Sequence, residues 1–454
     1  MNSPKSLFES NSNVENTYTV ITNLDRCFVT GFANLNSELN RGLTTLEKIF
    51  TGTPLQESIE VAIKAILQNE FSLQHFIVLA AARTALQGAL FDSLQQQVFL
   101  ALGRQKTAAE SNISQLNGNT LANRESIQHW LMEIALVGFA RLDANALLAF
   151  TATLEQIQTD PKNIDIAASL TGFYNELVAR IPIEEIETIP TYRWVDLWSR
   201  GMVGRSDLVE LDSLLNVSGI LELLGLDLRH HDNLVSFTLY GLLTGEENRV
   251  VRVTMSAYKV DAIAKDEIWL LFPEADLLLD AFCSHKALSV REMSMLSTGD
   301  LLWDSSKAEL GESFNLMARS QEFFAVNAAK SFLPCEMHPL DRHPIQLAEP
   351  IFIEDYKIKK NGEDLLLTFS EMSLKVARNS IFSGLTNKAI AASQRMFGLL
   401  HYDAGEWEIQ PLVVESKKIE FAGQNASKTI KKPPKKNTVA TLQERASRLL
   451  REKS

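Results

Sequence analysis

The densest collection of metal-ligand side chains in the sequence is a pair of Cys/His motifs. Cys283-Ser284-His285 and Cys335-Glu336-Met337-His338 each place a thiol next to an imidazole, and His343 follows closely. Thiolate and imidazole are the usual partners of zinc, and Cys283, His285, Cys335 and His338 together would supply a tetrahedral set. Against this, some fifty residues separate the two pairs and neither is flanked by a second cysteine, whereas zinc modules are usually denser. The plainer reading is a buried cysteine beside a surface histidine, twice.

A second chemistry is suggested where the apolar run Leu412-Val413-Val414 ends in Glu415-Ser416-Lys417, with Asp403 in the turn upstream. Some metal-dependent nucleases set an acidic residue and an E-x-K on neighbouring strands, where carboxylates hold Mg²⁺ and the lysine orients the attacking water. Asp403, Glu415 and Lys417 would carry those roles in a hydrolase or nuclease. A solvated strand end running into a basic linker explains the same residues. His230-His231-Asp232 reads as a polar turn rather than an acid/base cluster. His75 and His129 read as packing or surface residues, and Trp194 and Trp198, four apart, as core. The Walker, dinucleotide-binding, nucleophile-elbow and H-E-x-x-H patterns are missing, so their mechanisms have no footing here.

The third candidate is the C-terminal tail. From Lys417 onwards it has eleven Lys/Arg against three Asp/Glu, in a chain of net charge −12. Lys431, Lys432, Lys435 and Lys436 surround Pro433-Pro434 in an extended linker. Thr438 then caps a short amphipathic helix with Leu442 and Leu449 on one side and Arg445 among the residues that decorate the rest. A basic arm followed by such a helix suits docking into an acidic or apolar groove of a protein partner. Nucleic acid, repelled by the acidic body, could be reached only through this tail.

The elements that must position these residues change rhythm along the chain. Residues 1–16 are rich in Asn and Ser and read as disordered. Thr53-Pro54-Leu55-Gln56 reads as a capping-box start, followed by Ile59, Ile63 and Ile66 on one face. Ser72 to Gly103 reads as a long helix, residues 106–123 as a polar linker, and further helices follow near 125, 144 and 166–177. No 34- or 40-residue repeat emerges.

After about residue 216 the period becomes two. Val235, Phe237 and Leu239, and then Val251, Val253 and Met255, alternate with polar residues as in a meander. Residues 274–330 read as helical again. Asn361-Gly362 and Asp403-Ala404-Gly405 then mark two hairpins. The expected fold is α+β and multidomain: a helical bundle over 17–205, an α+β domain with antiparallel sheet over 206–416, and a basic tail over 417–454.

At 454 residues, 45% of them hydrophobic, the chain can build more than one core. It opens without a signal-peptide pattern, and no run of about 18 apolar residues suggests a membrane span. Three distant cysteines suit a reducing compartment, and the expected location is the cytoplasm. The resulting expectation is a non-enzymatic scaffold, adaptor or accessory subunit of a larger assembly, without a firm cofactor. A metal-dependent hydrolase and a nucleic-acid binder acting through the tail are the alternatives.

Overall fold

The computed structural model describes residues 7, 12–103, 124–158, 164–204, 214–231, 234–246, 248–259, 263, 267–296, 298–326, 341–362, 364–369, 372–377, 385–403, 405–415, 419–421, 438–442 and 444. Helices fill the first half of the chain and antiparallel sheets with hairpins dominate the second, an α+β architecture in two parts.

The helical half comprises α1 (Ser12–Thr30), α2 (Ser37–Ile49), α3 (Gln56–Leu67), α4 (Leu73–Leu102), α5 (Arg124–Val137), α6 (Ala144–Leu148), α7 (Thr151–Gln158), α8 (Ile164–Arg180) and α9 (Thr191–Val203). Helix α1 begins at Ser12 and buries Val14, so the N-terminal segment taken as disordered through residue 16 is helical at its end. The start of α3 also differs from the expected capping box. Thr53 Oγ1 donates back to the Phe50 carbonyl, and Gln56 Oε1 accepts from the Gly52 N–H, so the turn before the helix uses both side chains. Helix α4 follows its signals: Ser72 Oγ accepts from the His75 N–H, and Gly103 closes the helix with φ 69°. By length and apolar composition alone α4 could cross a membrane. Here it is a core helix, with Phe76, Leu79, Leu86, Leu90, Leu94 and Val98 buried.

The helical half is built twice, with an offset of 107 residues. Gly31-Phe32-Ala33-Asn34-Leu35-Asn36 and Gly138-Phe139-Ala140-Arg141-Leu142-Asp143 form the same elbow after α1 and α5. In each, a glycine at φ 90° or 87° leads into one 3₁₀ turn, and an extended leucine precedes an Asn or Asp whose side chain caps the next helix. At the same offset Ile59, Ile63 and Ile66 of α3 answer to Ile166, Leu170 and Phe173 of α8, all buried. The Phe32 ring meets Phe76 edge-on at 5.3 Å, and the Phe139 ring meets Trp194 in the same way at 5.2 Å. The two elbows touch back to back. A Cβ on Gly138 would lie 2.3 Å from the Gly31 nitrogen, and one on Gly31 would lie 2.3 Å from the Val137 carbonyl oxygen. The contacts are reciprocal, as across a two-fold axis.

The second half contains two sheets. The first has β1 (Leu215–His231), β2 (Leu234–Thr244), β3 (Arg249–Tyr258), β4 (Lys286–Met295) and β5 (Leu301–Leu302) in the order β3-β2-β1-β4-β5, with β6 (Ala308–Ser313) also on β4. The expected meander is β1-β2-β3. The expectation of helix throughout 274–330 fails: among the described residues the α-helices there are α10 (Asp276–Ser284) and α11 (Leu316–Val326), and β4, β5 and β6 lie between them. Ala287, Leu288, Val290, Met293 and Met295 are the buried residues of β4. Their alternation breaks near Glu292, whose φ is 48°, close to where the pairing of β4 with β1 shifts register. The break makes a pleated strand mimic a helical spacing.

The second sheet has β7 (Ala348–Glu354), β8 (Lys357–Asn361), β9 (Asp364–Phe369), β10 (Met372–Val376), β11 (Arg395–Asp403), β12 (Glu406–Glu415) and β13 (Ile419–Phe421). Its order is β7-β11-β12-β10-β9-β8, with β13 on β12. Both expected hairpins form, β8–β9 and β11–β12. Between β7 and β8 the chain turns at Asp355, whose φ is 59°. Strands β10 and β12 pair in parallel, with α12 (Asn387–Ala391) in the crossover, so the sheet is not wholly sequential.

Gly225 in β1 lets the sheets close on each other, since a Cβ there would lie 2.8 Å from Leu412 Cδ1. Leu224, Leu242, Met317, Phe397 and Leu399 pack in the space between the sheets. A larger apolar cluster runs continuously from the helical half into both sheets.

Candidate functional site

Half of the proposed zinc set can be placed. Cys283 is buried in the last turn of α10, and His285 follows it with φ 50° as the helix ends. Burial pushes the His285 imidazole pKa down. Cys335 and His338 lie outside the described residues. His343 serves another purpose, described below. Among the described residues no three His, Cys, Asp or Glu side chains gather as metal ligands do.

The Asp403/Glu415 pair is separated by strand register. Asp403 pairs with Glu406 at the turn of the β11–β12 hairpin, whereas Glu415 pairs with Arg395 at its far end. Glu415 is also in an ion pair with the Arg395 guanidinium. Lys417 lies outside the described residues. A shared ion needs oxygens that converge within a few ångströms, and this hairpin holds the two carboxylates most of its length apart. His230 and His231 belong to β1, opposite Val235 and Leu234.

Of the seven candidate docking residues in the tail, Leu442 is described; Lys431, Lys432, Lys435, Lys436, Arg445 and Leu449 lie outside the described residues. The helical turn at 438–442 is seated on the chain's own body. The Thr438 N–H donates to Glu267 Oε1 at 2.8 Å, and Val439 joins the main apolar cluster. Leu442 stays exposed.

Two polar networks that the sequence reading did not identify join the parts of the molecule. The first lies between the helical half and the segment ahead of β7. Arg83 of α4, fully buried, donates from Nε and Nη2 to the two oxygens of Asp25 at 2.7 and 3.0 Å, and from Nη2 to the Tyr192 carbonyl at 3.1 Å. Its Nη1 reaches Asp196 Oδ1 at 3.4 Å. Asp196 in turn faces His343 Nε2 at 3.1 Å and Arg200 Nε at 3.3 Å. His343 Nδ1 accepts from the Ile345 N–H, so a neutral ring carries its proton on Nε2, which lies 3.1 Å from Asp196 Oδ1 without the alignment of a hydrogen bond.

Burial pushes the Asp25 carboxyl up in pKa despite Arg83. Burial also opposes charge on Asp196, but His343, Arg83 and Arg200 outweigh it and hold that carboxyl well below the usual range. The bidentate Arg83–Asp25 geometry is that of a paired ion. With Arg83 and His343 closed to solvent, this cluster does structural work: it fixes the His343 segment to α4 and α9.

The second network crosses between the sheets. Asp227 of β1 accepts from Arg229 Nε at 2.9 Å and from Gln410 Nε2 of β12 at 2.8 Å. Gln410 Oε1 lies 2.8 Å from His401 Nε2 of β11. Since the amide nitrogen is spent on Asp227, the amide oxygen must accept and His401 Nε2 must donate. Burial lowers the His401 pKa.

An accessible feature among the described residues is a cleft of about 560 Å³ where the start of α1 faces the β8–β12 side of the second sheet. Its carboxylates come from three elements: Glu15 from α1, Asp364 from β9 and Glu406 from β12. Lys375 is the cation lining it among the described residues, and Glu408 already lies 3.3 Å from its ammonium. The aromatic wall is Tyr402 against Trp407, edge-on at 5.1 Å. Burial, then the nearby Tyr18 and Glu15, raises the Tyr402 pKa. The residue types needed for this cleft were visible in sequence, but their convergence depends on the parallel β10–β12 pairing, which no local pattern announces.

No family model, curated protein or solved structure matches the chain.

Proposed function

We propose that the chain is a non-enzymatic scaffold or accessory subunit of a larger cytoplasmic assembly and that it docks partners partly through its basic C-terminal segment. The observation that supports this is the rooted helical turn at 438–442. The Thr438–Glu267 hydrogen bond and the burial of Val439 fix the chain there, while β13 fixes it at 419–421 against β12. The segment carrying Lys431, Lys432, Lys435 and Lys436 is therefore tethered at both ends to the body. Tethering lowers the entropy lost when such a segment binds, and four closely spaced lysines attract an acidic surface.

The test is co-purification of the full chain from its own cells, compared with a variant carrying Gln at all four lysines. The reading predicts loss of the co-purifying protein, and weaker association as salt rises. An unchanged set of partners contradicts it. Association with nucleic acid alone would move the function to the nucleic-acid alternative.

A further inference from the structure

We propose that the open edge of the second sheet, strand β8, accepts an extended segment of a partner protein in which acidic and apolar residues alternate, added as one more strand. This surface is separate from the basic segment at 431–436. Strand β8 ends the order β7-β11-β12-β10-β9-β8, and among the described residues it pairs with β9 alone. An edge strand presents backbone N–H and C=O groups that template a further strand. Three other edge strands differ. Helix α11 packs against β7, with Gln321 Nε2 donating to Glu354 at 2.9 Å. On β3 the Arg252 N–H donates to the Gly299 carbonyl at 3.0 Å, and the Arg252 guanidinium holds Asp300. Strand β6 exposes Glu309 and Glu312, which would repel an acidic chain.

Charge and alternation select the incoming strand. Lys357, Lys359 and Lys360 of β8 are exposed. Lys375, two strands away, is held by Glu408, whereas these three make no ion pair or side-chain hydrogen bond among the described residues. Lys357 and Lys359 share a face, about 6.6–6.8 Å apart along the strand, which is the repeat of alternate side chains on an added strand. The half-buried Ile358 belongs to the other face, opposite the fully buried Leu367 of β9. An added strand therefore meets ammonium groups on one face and apolar surface on the other, and acidic residues alternating with apolar ones satisfy both. The same lysines exclude the β8 edge of a second copy, where lysine would face lysine. Nucleic-acid phosphates could neutralise the lysines but could not extend the ladder of the sheet.

The experiment uses the full chain and a fluorophore-labelled, end-blocked probe peptide of alternating glutamate and valine, read by anisotropy. Saturable binding is expected, with a lysine/valine peptide at least about tenfold weaker. The glutamate peptide N-methylated throughout keeps its charge but loses its ladder donors, and should bind at least about tenfold more weakly. The K357E/K359E double variant should lose the probe at least about fivefold, gain the lysine/valine peptide, and melt as the parent does. A variant with Gln at Lys431, Lys432, Lys435 and Lys436 should hold the probe within about threefold of the parent, which separates this edge from the tail. Five results would each overturn the proposal: no saturable binding at millimolar peptide, equal binding of the N-methylated peptide, parent-like binding by K357E/K359E, loss of the probe in the tail variant instead, or displacement by a single-stranded oligonucleotide as effective as by unlabelled peptide.

Discussion

At the residue scale, the tightest constraint is the contact between Gly31 and Gly138. Both have positive φ, and a methyl group on either would sit 2.3 Å from backbone atoms of the other elbow. Backbone cannot yield as a flexible side chain does, and an L-residue at such a φ adds strain of its own. Gly138→Ala should therefore destabilise the protein by at least about 3 kcal/mol, read as a fall in the denaturation midpoint. A loss below about 1 kcal/mol would mean that the elbows are not packed back to back. Cys27 makes a milder case. Burial pushes its thiol up to about 12, so it carries almost no thiolate at pH 8. Mass mapping after brief iodoacetamide treatment of the folded protein should find Cys27 unmodified, and labelled only after denaturant is added. The glycines themselves were visible in the sequence. Their partnership was not, because the matching segments lie 107 residues apart and few residues beyond the Gly-Phe-Ala core remain alike.

At the scale of elements, long regular periods were legible and interrupted ones were not. Helix α4 carries its own start and stop signals, and β2 alternates cleanly enough to be read directly. Strand β4 was lost because the irregularity near Glu292 shifts its buried residues out of period two. The register of β11 against β12 was readable from the turn. Extended to its end, it already places Asp403 and Glu415 apart.

The junction between the sheets depends on a neutral His401, and this gives stability a pH dependence. Its folded pKa lies below its unfolded value of about 6.5. Between the two values the unfolded state binds the extra proton, so this contribution is complete above about pH 6.5 and declines as pH falls below it. The melting temperature should drop between about pH 7 and pH 5, and His401→Gln should flatten that slope. A slope identical in the variant would assign the effect to other groups. Asp196, whose carboxyl is depressed, adds a contribution that is complete above the unfolded carboxylate value of about 3.9 and is lost as pH falls below it.

At the scale of the whole molecule, the two parts are joined by apolar packing and by the contact of His343 with Asp196, which the buried Arg83–Asp25 pair backs from within the helical half. Removing one partner of a buried ion pair strands the other, which typically costs about 3–5 kcal/mol, whereas removing both recovers part of the loss. Arg83→Met should fall in that range, and Arg83→Met combined with Asp25→Leu should be less damaging than Arg83→Met alone in chemical denaturation. The α+β division was legible from periodicity. The junction was not, since Asp25, Arg83, Asp196 and His343 come from four separated stretches with nothing in their spacing to connect them.

The central claim is therefore that the helical half and the sheets form one cooperative body. Scanning calorimetry of the full chain tests it most directly. The structure predicts one main unfolding transition, moved as a whole to lower temperature by Arg83→Met. Two well-separated transitions, only one of them shifted by that substitution, would contradict it.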